Sequence, residues 1–365
     1  MSPKGGVRKK GIMEKEILKR HCVSTTDEAR TALKLIQELP NQSKRTLFAI
    51  NDQGIFEGTI TDGDIRRGLL NGSEISDDTK VFITTECKYL FENEIDTAKL
   101  KSFRSKDIVL IPILNSKREL IDIIDLSKTR TILPMSALIM AGGRGERLKP
   151  LTDSVPKPML VVGSKPIIEH NIDRLIAYGV KEIFISVKYL KEQIMDHFGD
   201  GTEKGISIKY IEEDEPLGTL GCLSLIKDIA EENLLVMNSD LLTNIDFEYF
   251  YNFFIEKQAD MLLASVPYKV SVPYAVLETE NQAVKSFSEK PTYTYYSNGG
   301  IYLIKTKLKS RLKKGVFYNA TDLMESVIQE LGSSLIHFPI LDYWLDIGKH
   351  QDFTKAQEDI KRLHM

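Results

Sequence analysis

The chain has 365 residues, which is enough for two or three domains of ordinary size. Hydrophobic residues make up 42% and charged residues 28%, values typical of globular proteins, so disorder, collagen and a simple coiled coil are excluded for most of its length. Lys and Arg (49) nearly balance Asp and Glu (52), and a formal net charge of -3 argues against a nucleic-acid-binding surface.

The three cysteines, Cys22, Cys87 and Cys222, are widely spaced and form no CxxC pair. They fit neither a disulfide framework nor a zinc site, so we expect a reducing, cytoplasmic location. No apolar run approaches the ~20 residues that cross a bilayer, and no membrane association is expected. The opening MSPKGGVRKKG is basic but has no apolar segment behind it, so we predict a disordered leader over residues 1–13 and not a signal peptide.

Residues 14–132 contain two weak copies of a strand–strand–helix pattern. In the first copy, the apolar run 47–50 and a second short strand at 58–61 flank a turn cluster and predict a hairpin, after which residues 65–70 continue at helical spacing. Residues 108–114 and 120–124 predict a second hairpin. We therefore predict two related units in this region.

The first copy carries the motif GTITDGDIRR, and the paired arrangement resembles a tandem cystathionine-beta-synthase (CBS) domain pair. The resemblance implies that Thr61 and Asp64 hold the phosphate and ribose of a regulatory nucleotide, and that the chain forms homo-oligomers. Alternatively, Asp64 only caps the helix that follows. In the second copy, ELIDIIDLSK, Asp122 stands at the threonine position and would repel a phosphate, so at most one such site is expected.

After Pro134 the pattern changes to strands alternating with helices. The predicted strands of the first part are 136–140, 182–187, 206–211 and 233–237, and the predicted helices are 167–178, 189–198 and 220–229. Four further strands follow without intervening helices, at 261–266, 274–278, 284–287 and 299–304. The order predicts an α/β domain over 134–365, with a doubly wound, mostly parallel sheet and an antiparallel extension.

The strongest motif, AGGRGERLKPLTDSVPKPML, directly follows the first strand of this sheet, where ligands of open α/β sheets bind. Its small residues allow close approach of backbone amides to phosphate oxygens; they are Ala141, Gly142, Gly143 and Gly145. Arg144 and Arg147 add positive charge. Leu148 stands where a dinucleotide fingerprint has its third glycine, and no GK[ST] follows, so neither that fingerprint nor a Walker loop is present.

Two more charged residues occupy constrained places. Lys157 lies between Pro156 and Pro158, which restrict the backbone, and its ammonium could bridge two phosphoryl groups; a solvated loop lysine is the alternative. Asp240 ends the apolar run LLVMNSD, in agreement with the strand-end rule, although it could be a simple turn residue.

From residue 136 to the C-terminus the chain closely resembles the sugar-1-phosphate nucleotidyltransferases. The resemblance implies a Rossmann-like GT-A nucleotidyltransferase fold with a mixed, mostly parallel sheet. It also implies that the loop 142–147 cradles the nucleotide, that Arg147 engages its β and γ phosphates, and that Lys157 contacts the phosphate at the reacting centre.

The same resemblance implies a Mg²⁺ site. Asp240 is its first expected ligand and Asp346, in YWLDIG, its second. Alternatively, Asp346 is the N-cap of a helix that begins near Lys349.

Sugar and base recognition are implied by three further segments. Glu289 and Lys290 match the family's EKP element, and Asn298 and Gly299 its NAGIY element, with glycine where the family has alanine. These two elements line the sugar phosphate site in the family. The segment EDEPLGTLG resembles the base-recognition element, with the backbone of Leu217 and Gly218 facing the base. Its EPLGT sequence is closest to the guanylyltransferase branch.

The predicted activity is transfer of a nucleotidyl group from a nucleoside triphosphate, with GTP favoured, to a sugar 1-phosphate for glycan precursor synthesis. Pyrophosphate is the second product. One alternative is a glycosyltransferase that consumes a nucleotide sugar. Another is a CBS nucleotide sensor with a non-catalytic transferase scaffold.

Overall fold

The computed structural model describes residues 15–39, 45–95, 97–106 and 108–363. The leader predicted at 1–13 lies outside these residues. The chain divides into two compact units. One consists of residues up to Leu133 with the short segments Ile176–Lys181 and Asp200–Ser207, and the other of the remainder from Pro134 onwards.

The first unit contains two small sheets of three strands each. Its elements in chain order are α1 Lys15–Arg20, β1 Cys22–Ser24, α2 Ala29–Glu38, β2 Thr46–Ile50, β3 Phe56–Thr61, α3 Asp62–Leu70, β4 Leu90–Phe91, α4 Thr97–Arg104, β5 Leu110–Leu114 and β6 Leu120–Asp125. The strand orders are β1-β2-β3 and β4-β5-β6. In each sheet the first pair is parallel and the second pair antiparallel, so both predicted hairpins are present and the two sheets repeat one topology.

The hydrophobic pattern explains the packing of the first sheet. Alternate residues of β3 are buried, and α2 buries Ala29, Ala32 and Ile36, which lie on one helical face. The second copy departs from the predicted pattern because a turn follows β6 where the first copy has a helix. Asp125 Oδ1 accepts from both Ser127 N (2.9 Å) and Ser127 Oγ (2.6 Å), which favours the turn.

The second unit is an α/β domain. Its elements in chain order are β7 Ser136–Met140, β8 Val161–Val162, β9 Lys165–Pro166, α5 Ile167–Ala177, β10 Glu182–Val187, α6 Lys191–Phe198, β11 Ser207–Glu212, β12 Asn233–Asn238, β13 Leu241–Thr243, α7 Phe247–Glu256, β14 Met261–Ser271, β15 Val276–Glu280, β16 Ala283–Ser288, β17 Thr292–Lys305, α8 Ala320–Gln329, β18 Leu335–Pro339, β19 Trp344–Asp346 and α9 His350–Asp359. None of the described helices is long and apolar enough to cross a membrane.

A seven-stranded mixed sheet, in the order β11-β10-β7-β12-β17-β14-β18, forms the centre of this unit. β7 is parallel to β10 and to β12, and its first four residues are buried, which explains its uninterrupted apolar sequence. β17 runs antiparallel to β12 and to β14, so the predicted antiparallel extension is confirmed. The carboxyl ends of β7, β10 and β12 therefore meet at one edge of the sheet.

The predicted helix at 220–229 is wrong. Only a short 3₁₀ turn, Gly221–Leu225, forms there. The backbone amides of Leu220 and Gly221 both donate to Tyr318 O, at 2.9 and 3.1 Å, so this segment is held by a distant part of the chain.

Candidate active site

The glycine-rich loop after β7 is shaped by a close contact with Lys157. Gly145 has a φ of +64°, and a Cβ atom built there would lie 2.9 Å from Lys157 Cβ. Thr152 Oγ1 donates to Gly145 O at 2.9 Å and folds the following segment back onto the loop. Gly145 is thus required both for its backbone conformation and for the approach of Lys157.

The backbone of the glycine-rich loop has open space beside Gly143 but not beside Gly142. A Cβ atom at Gly143 would meet no atom within 4 Å, whereas one at Gly142 would lie 3.2 Å from Glu213 Oε1. Ala141 N donates to Ser186 O of the neighbouring strand at 3.0 Å, which anchors the start of the loop. The backbone around Gly143 is therefore open to a ligand, as expected for a phosphate-binding loop.

Lys157 and Asp240 form an ion pair at the end of β12. Lys157 begins the 3₁₀ turn Lys157–Met159, and its Nζ donates to Asp240 Oδ2. The two side chains are only 12% and 18% exposed. The alternative of a solvated lysine is therefore wrong, and Asp240 is more than a turn residue.

Asp346 lies beside Asp240 because two short strands pair. In the antiparallel ladder of β13 and β19, Leu241 is opposite Asp346, and Ile347 N donates to Asp240 O at 3.1 Å. Oδ1 of each aspartate is buried and has no hydrogen-bond partner among the described residues. Such orphaned oxygens are costly unless a cation or donor binds them.

The alternative role of Asp346 as a helix cap is wrong. The N-cap of α9 is Lys349, and its backbone N–H donates to Asp352 Oδ2 at 2.9 Å. Asp346 instead ends the preceding strand.

The charges around Asp346 identify its neighbours. Burial and the negative charge of Asp240 raise the pKa of Asp346, while the positive charges of Lys157 and Arg147 oppose the shift. Arg147 Nη2 lies 3.4 Å from the position of a Cβ atom on Gly348. The structure therefore brings together four of the predicted residues: Arg147, Lys157, Asp240 and Asp346.

These residues fit a divalent cation that is bound jointly by the protein and its substrate. Within the described ranges, no group of three or more His, Cys, Asp or Glu side chains could hold a metal ion. Mg²⁺ typically uses one or two carboxylates and takes its remaining ligands from phosphates and water. The unpartnered oxygens of Asp240 and Asp346 meet that requirement.

The predicted base segment already has backbone hydrogen bonds within the protein. Leu217 N donates to Glu213 Oε2 at 3.1 Å, and Leu217 O accepts from Tyr318 N at 2.8 Å. Gly218 has a φ of +76°, and a Cβ atom there would lie 2.7 Å from Tyr318 O. The backbone of Leu217 is thus already bonded within the protein, and base contact by Leu217 or Gly218 stays a prediction.

Of the sugar-site elements, the one that contains Asn298 and Gly299 lies beside the end of β12, since a Cβ atom on Gly300 would lie 2.7 Å from Asn238 Nδ2. Asn298 Oδ1 accepts from Gly300 N at 2.9 Å, and its Nδ2 donates to Tyr302 Oη at 2.7 Å. Glu289 and Lys290 are exposed in the turn before β17 and form no hydrogen bond or ion pair in the described part of the chain. Their predicted contacts with the sugar phosphate remain predictions.

Two aromatic residues of the site were missed by sequence reasoning. Tyr189 follows β10, its hydroxyl contacts Thr152 O (3.1 Å) and Asp153 O (3.0 Å), and the Arg144 guanidinium lies 5.5 Å from its ring centre. The strand-end rule could have identified it, since β10 is parallel to β7. Trp344 Nε1 donates to Gly299 O at 2.9 Å, and no local sequence signal predicts that contact.

Residues 136–362 match the protein family described as nucleotidyl transferase, which is more than half of the chain. The chain belongs to this family. It is 31% identical over 227 residues to mannose-1-phosphate guanyltransferase beta-A of Xenopus laevis, covering 60% of this chain and 62% of the frog protein. The match thus spans less than two thirds of that relative. It is also 31% identical over 230 residues to D-glycero-alpha-D-manno-heptose 1-phosphate guanylyltransferase of Aneurinibacillus thermoaerophilus, covering 62% of this chain and 99% of that protein.

Solved structures agree with this assignment at the level of the fold. A candidate glucose-1-phosphate thymidylyltransferase from Bacillus anthracis superimposes with a TM-score of 0.52 at 24% identity, over 63% of this chain and 97% of that one. The expected nucleotidyltransferase fold with a mixed sheet is thereby confirmed for this nucleotidyl transferase. The glycosyltransferase and non-catalytic scaffold alternatives are not favoured by the family match.

Proposed function

We propose that the protein is a sugar-1-phosphate guanylyltransferase, which converts GTP and a mannose or heptose 1-phosphate into a GDP-sugar and pyrophosphate. The observation that carries the proposal is the charged cluster of Arg147, Lys157, Asp240 and Asp346 at the end of the sheet, next to a glycine loop with open space at Gly143. The named relatives are guanylyltransferases for these two sugar phosphates, and they support this choice of substrates.

The reaction needs little covalent help from the protein. A phosphate oxygen of the sugar 1-phosphate attacks the α-phosphorus of GTP, the bond from that phosphorus to the bridging oxygen breaks, and pyrophosphate leaves with its electron pair. Because the nucleophile is already anionic, no general base is required. The barrier arises mainly from bringing two polyanions together, so positioned cations and orientation supply most of the rate enhancement.

Each residue of the cluster has a distinct proposed role. The open backbone at Gly143 and the Arg147 guanidinium bind the β and γ phosphates, and Lys157 offsets charge at the reacting phosphorus. Asp240 and Asp346 would hold Mg²⁺, which when bound neutralises phosphate charge and stabilises the leaving pyrophosphate. The ammonium of Lys157 pairs with Asp240, and its positive charge also offsets the negative charge of the Asp346 carboxylate.

The experiment is a pyrophosphate-release assay of the purified chain with Mg²⁺, the four nucleoside triphosphates and a panel of hexose and heptose 1-phosphates. We expect the highest kcat/KM with GTP and one manno-configured sugar phosphate. A preference for another nucleotide would overturn the guanylyl assignment, and no pyrophosphate release with any pair would overturn the activity.

For the first unit we propose a CBS pair that binds a purine nucleotide at Thr61 and Asp64. Its repeated sheet topology supports the proposal. Asp64 is already engaged: Oδ2 accepts from Thr61 N (2.8 Å) and Thr61 Oγ1 (2.6 Å), and Oδ1 accepts from Arg67 and from Thr84 Oγ1 (3.1 Å). The capping role is thus observed, and a ribose would have to replace the partners of Oδ1.

The expected compartment is the cytoplasm. All three cysteines are unpaired in the structure, which is compatible with a reducing environment.

A further inference from the structure

Beyond the central sheet, β14 and β17 continue as a two-stranded ribbon, and the hairpin of β15 and β16 lies between them in the chain. We call residues 266–297 the aromatic arm. In the ribbon Tyr268 is paired with Tyr295, and Val270 with Tyr293. Because directly paired residues of an antiparallel ladder share a face, these four side chains form one apolar face without a charge.

Among the residues that the structure describes, this face has no partner. The relative exposures of Tyr268, Tyr295, Tyr293 and Val270 are 63%, 59%, 39% and 37%. Within the described residues, none of the three tyrosine side chains forms a hydrogen bond or a ring contact.

The opposite face of the ribbon is different. There, Tyr296 packs on His337 with ring centres 4.8 Å apart, and the hydroxyls of Ser271 and Thr292 lie 3.0 Å apart. That face is therefore covered near the central sheet and polar farther from it. Of the two faces of the ribbon, the tyrosine face is the one that is apolar and exposed.

The exposed aromatic area of the arm approaches that of an ordinary interface. With Tyr274 (75% exposed) and Phe287 (67%), the arm exposes five substantially accessible aromatic side chains in addition to Tyr296. At ~200 Å² for each ring residue, these five expose on the order of 600 Å². This is at the upper end of the largest patch on a typical monomer, and an ordinary interface needs roughly 800 Å² from each partner. An isolated two-stranded ribbon is also only marginally stable in water, so a cover would stabilise it.

The net charge of the aromatic arm indicates which kind of partner its exposed face can bind. The arm carries three lysines and three glutamates, Lys269, Lys285, Lys290, Glu278, Glu280 and Glu289, so it has no net charge. It therefore has no electrostatic attraction for nucleic acid or an acidic membrane, and two copies do not repel each other. An uncharged tyrosine face is complementary to itself, and a twofold axis places the same residues on both sides of the interface.

We propose that the aromatic arm is a dimerisation surface, in which the tyrosine faces of two copies of this chain stack on each other. Tyrosine-rich apolar centres are characteristic of protein interfaces. The proposal does not depend on the reaction that the chain catalyses.

The test is the concentration dependence of the mass of the full chain, measured by analytical ultracentrifugation. In the double variant Tyr268→Ser/Tyr295→Ser we expect the association step to weaken by roughly 30-fold or more, as for buried aromatic hot spots. The matched control is Ile328→Ser/Leu331→Ser, which removes apolar side chains that are 68% and 102% exposed at and just after the end of α8. The control should associate like the wild type.

A wild-type chain that stays monomeric would overturn the proposal, and so would a folded double variant with the wild-type dissociation constant. If the double variant fails to fold, hydrogen exchange of the wild type decides. The amides of 266–271 and 292–297 should then exchange more slowly at high protein concentration than at low, and equal rates would refute the interface.

Discussion

Lys157 and Asp240 are 83 residues apart in the chain, yet the lysine ammonium donates directly to the aspartate carboxylate. The pairing is possible because the 3₁₀ turn of Lys157 and the end of β12 lie at the same edge of the sheet. Asp240 contacts Lys157 through one oxygen, and its other oxygen is buried with no hydrogen-bond partner in the described part of the chain. The two proposed roles of the pair, a cation for phosphate and an oxygen for a metal ion, therefore lie side by side.

Replacing Lys157 by alanine should lower kcat by about 100-fold or more, because one positioned charge at a reacting phosphate contributes about 3 kcal/mol to transition-state stabilisation. The measurement is pyrophosphate release under saturating substrates. Lys149→Ala is the control, since its side chain is 58% exposed in the same segment. Retention of more than a tenth of wild-type kcat in Lys157→Ala would contradict the phosphate role.

Asp240→Asn and Asp346→Asn should each abolish Mg²⁺-dependent turnover and leave the fold intact, because each removes a negative oxygen from the expected ion site. Isothermal titration with Mg²⁺ and GTP, together with circular dichroism, would measure both effects. Wild-type turnover in either variant would show that its carboxylate is not a metal ligand.

The variant Asp352→Ala distinguishes the role of a carboxylate that caps α9 from the role of one expected to bind the metal ion. It removes the bond from Lys349 N and should lower the free energy of unfolding by about 1 kcal/mol, with turnover of the folded protein preserved. If Asp352→Ala instead lost activity without a loss of stability, Asp352 would act in the site and not as a helix cap.

Gly143→Ala tests whether the open space in the loop is reserved for a ligand. The added methyl group would meet no protein atom within 4 Å, so thermal stability should not change. If a phosphate binds against this backbone, KM for GTP should rise at least tenfold, while KM for the sugar phosphate changes less. An unchanged KM would place the triphosphate elsewhere.

Asp240 and the glycine loop were predictable because a strand followed by an aspartate or a glycine loop is a local signal, whereas Asp346 was expected from the family resemblance. Asp240 and Gly145 follow buried apolar strands, and the strand-end rule brings them to one edge. The helix predicted at 220–229 failed although its apolar spacing is helical. Its amides are bonded to Tyr318, about a hundred residues later, and local spacing carries no information about such a partner. Tyr318 also donates through its own backbone N–H to Leu217 O, which occupies the carbonyl of Leu217.

Asp260 should make stability dependent on pH. Burial raises the pKa of this carboxyl, but hydrogen bonds from Lys307, Lys305 and Ser334 N together hold it at about 2, below its usual 3.8. A lowered pKa in the folded state means that the stabilisation is present above pH 3.8 and is lost as the pH falls toward 2. Asp260→Asn should therefore unfold more easily than the wild type at pH 7, and the difference should shrink toward pH 2. Denaturant unfolding at several pH values measures this, and a constant difference would exclude the linkage.

Regulation by a purine nucleotide is the last expectation. If a ribose binds Asp64, Asp64→Ala should abolish any effect of adenine or guanine nucleotides on the rate and leave the effector-free rate of the folded enzyme unchanged. The coupling should be about 1–3 kcal/mol, a modest change and not a complete switch.

Because Asp64 also completes the cap of α3, the variant Asp64→Ala should lose about 1 kcal/mol of stability. Arg67→Ala is the matched variant, since it removes one of the two donors to Oδ1 of Asp64 and keeps the cap, so it should retain or strengthen the nucleotide response. A nucleotide effect that survives in Asp64→Ala would place the regulatory site elsewhere, and stability loss with no nucleotide response in the wild type would leave Asp64 as a helix cap alone.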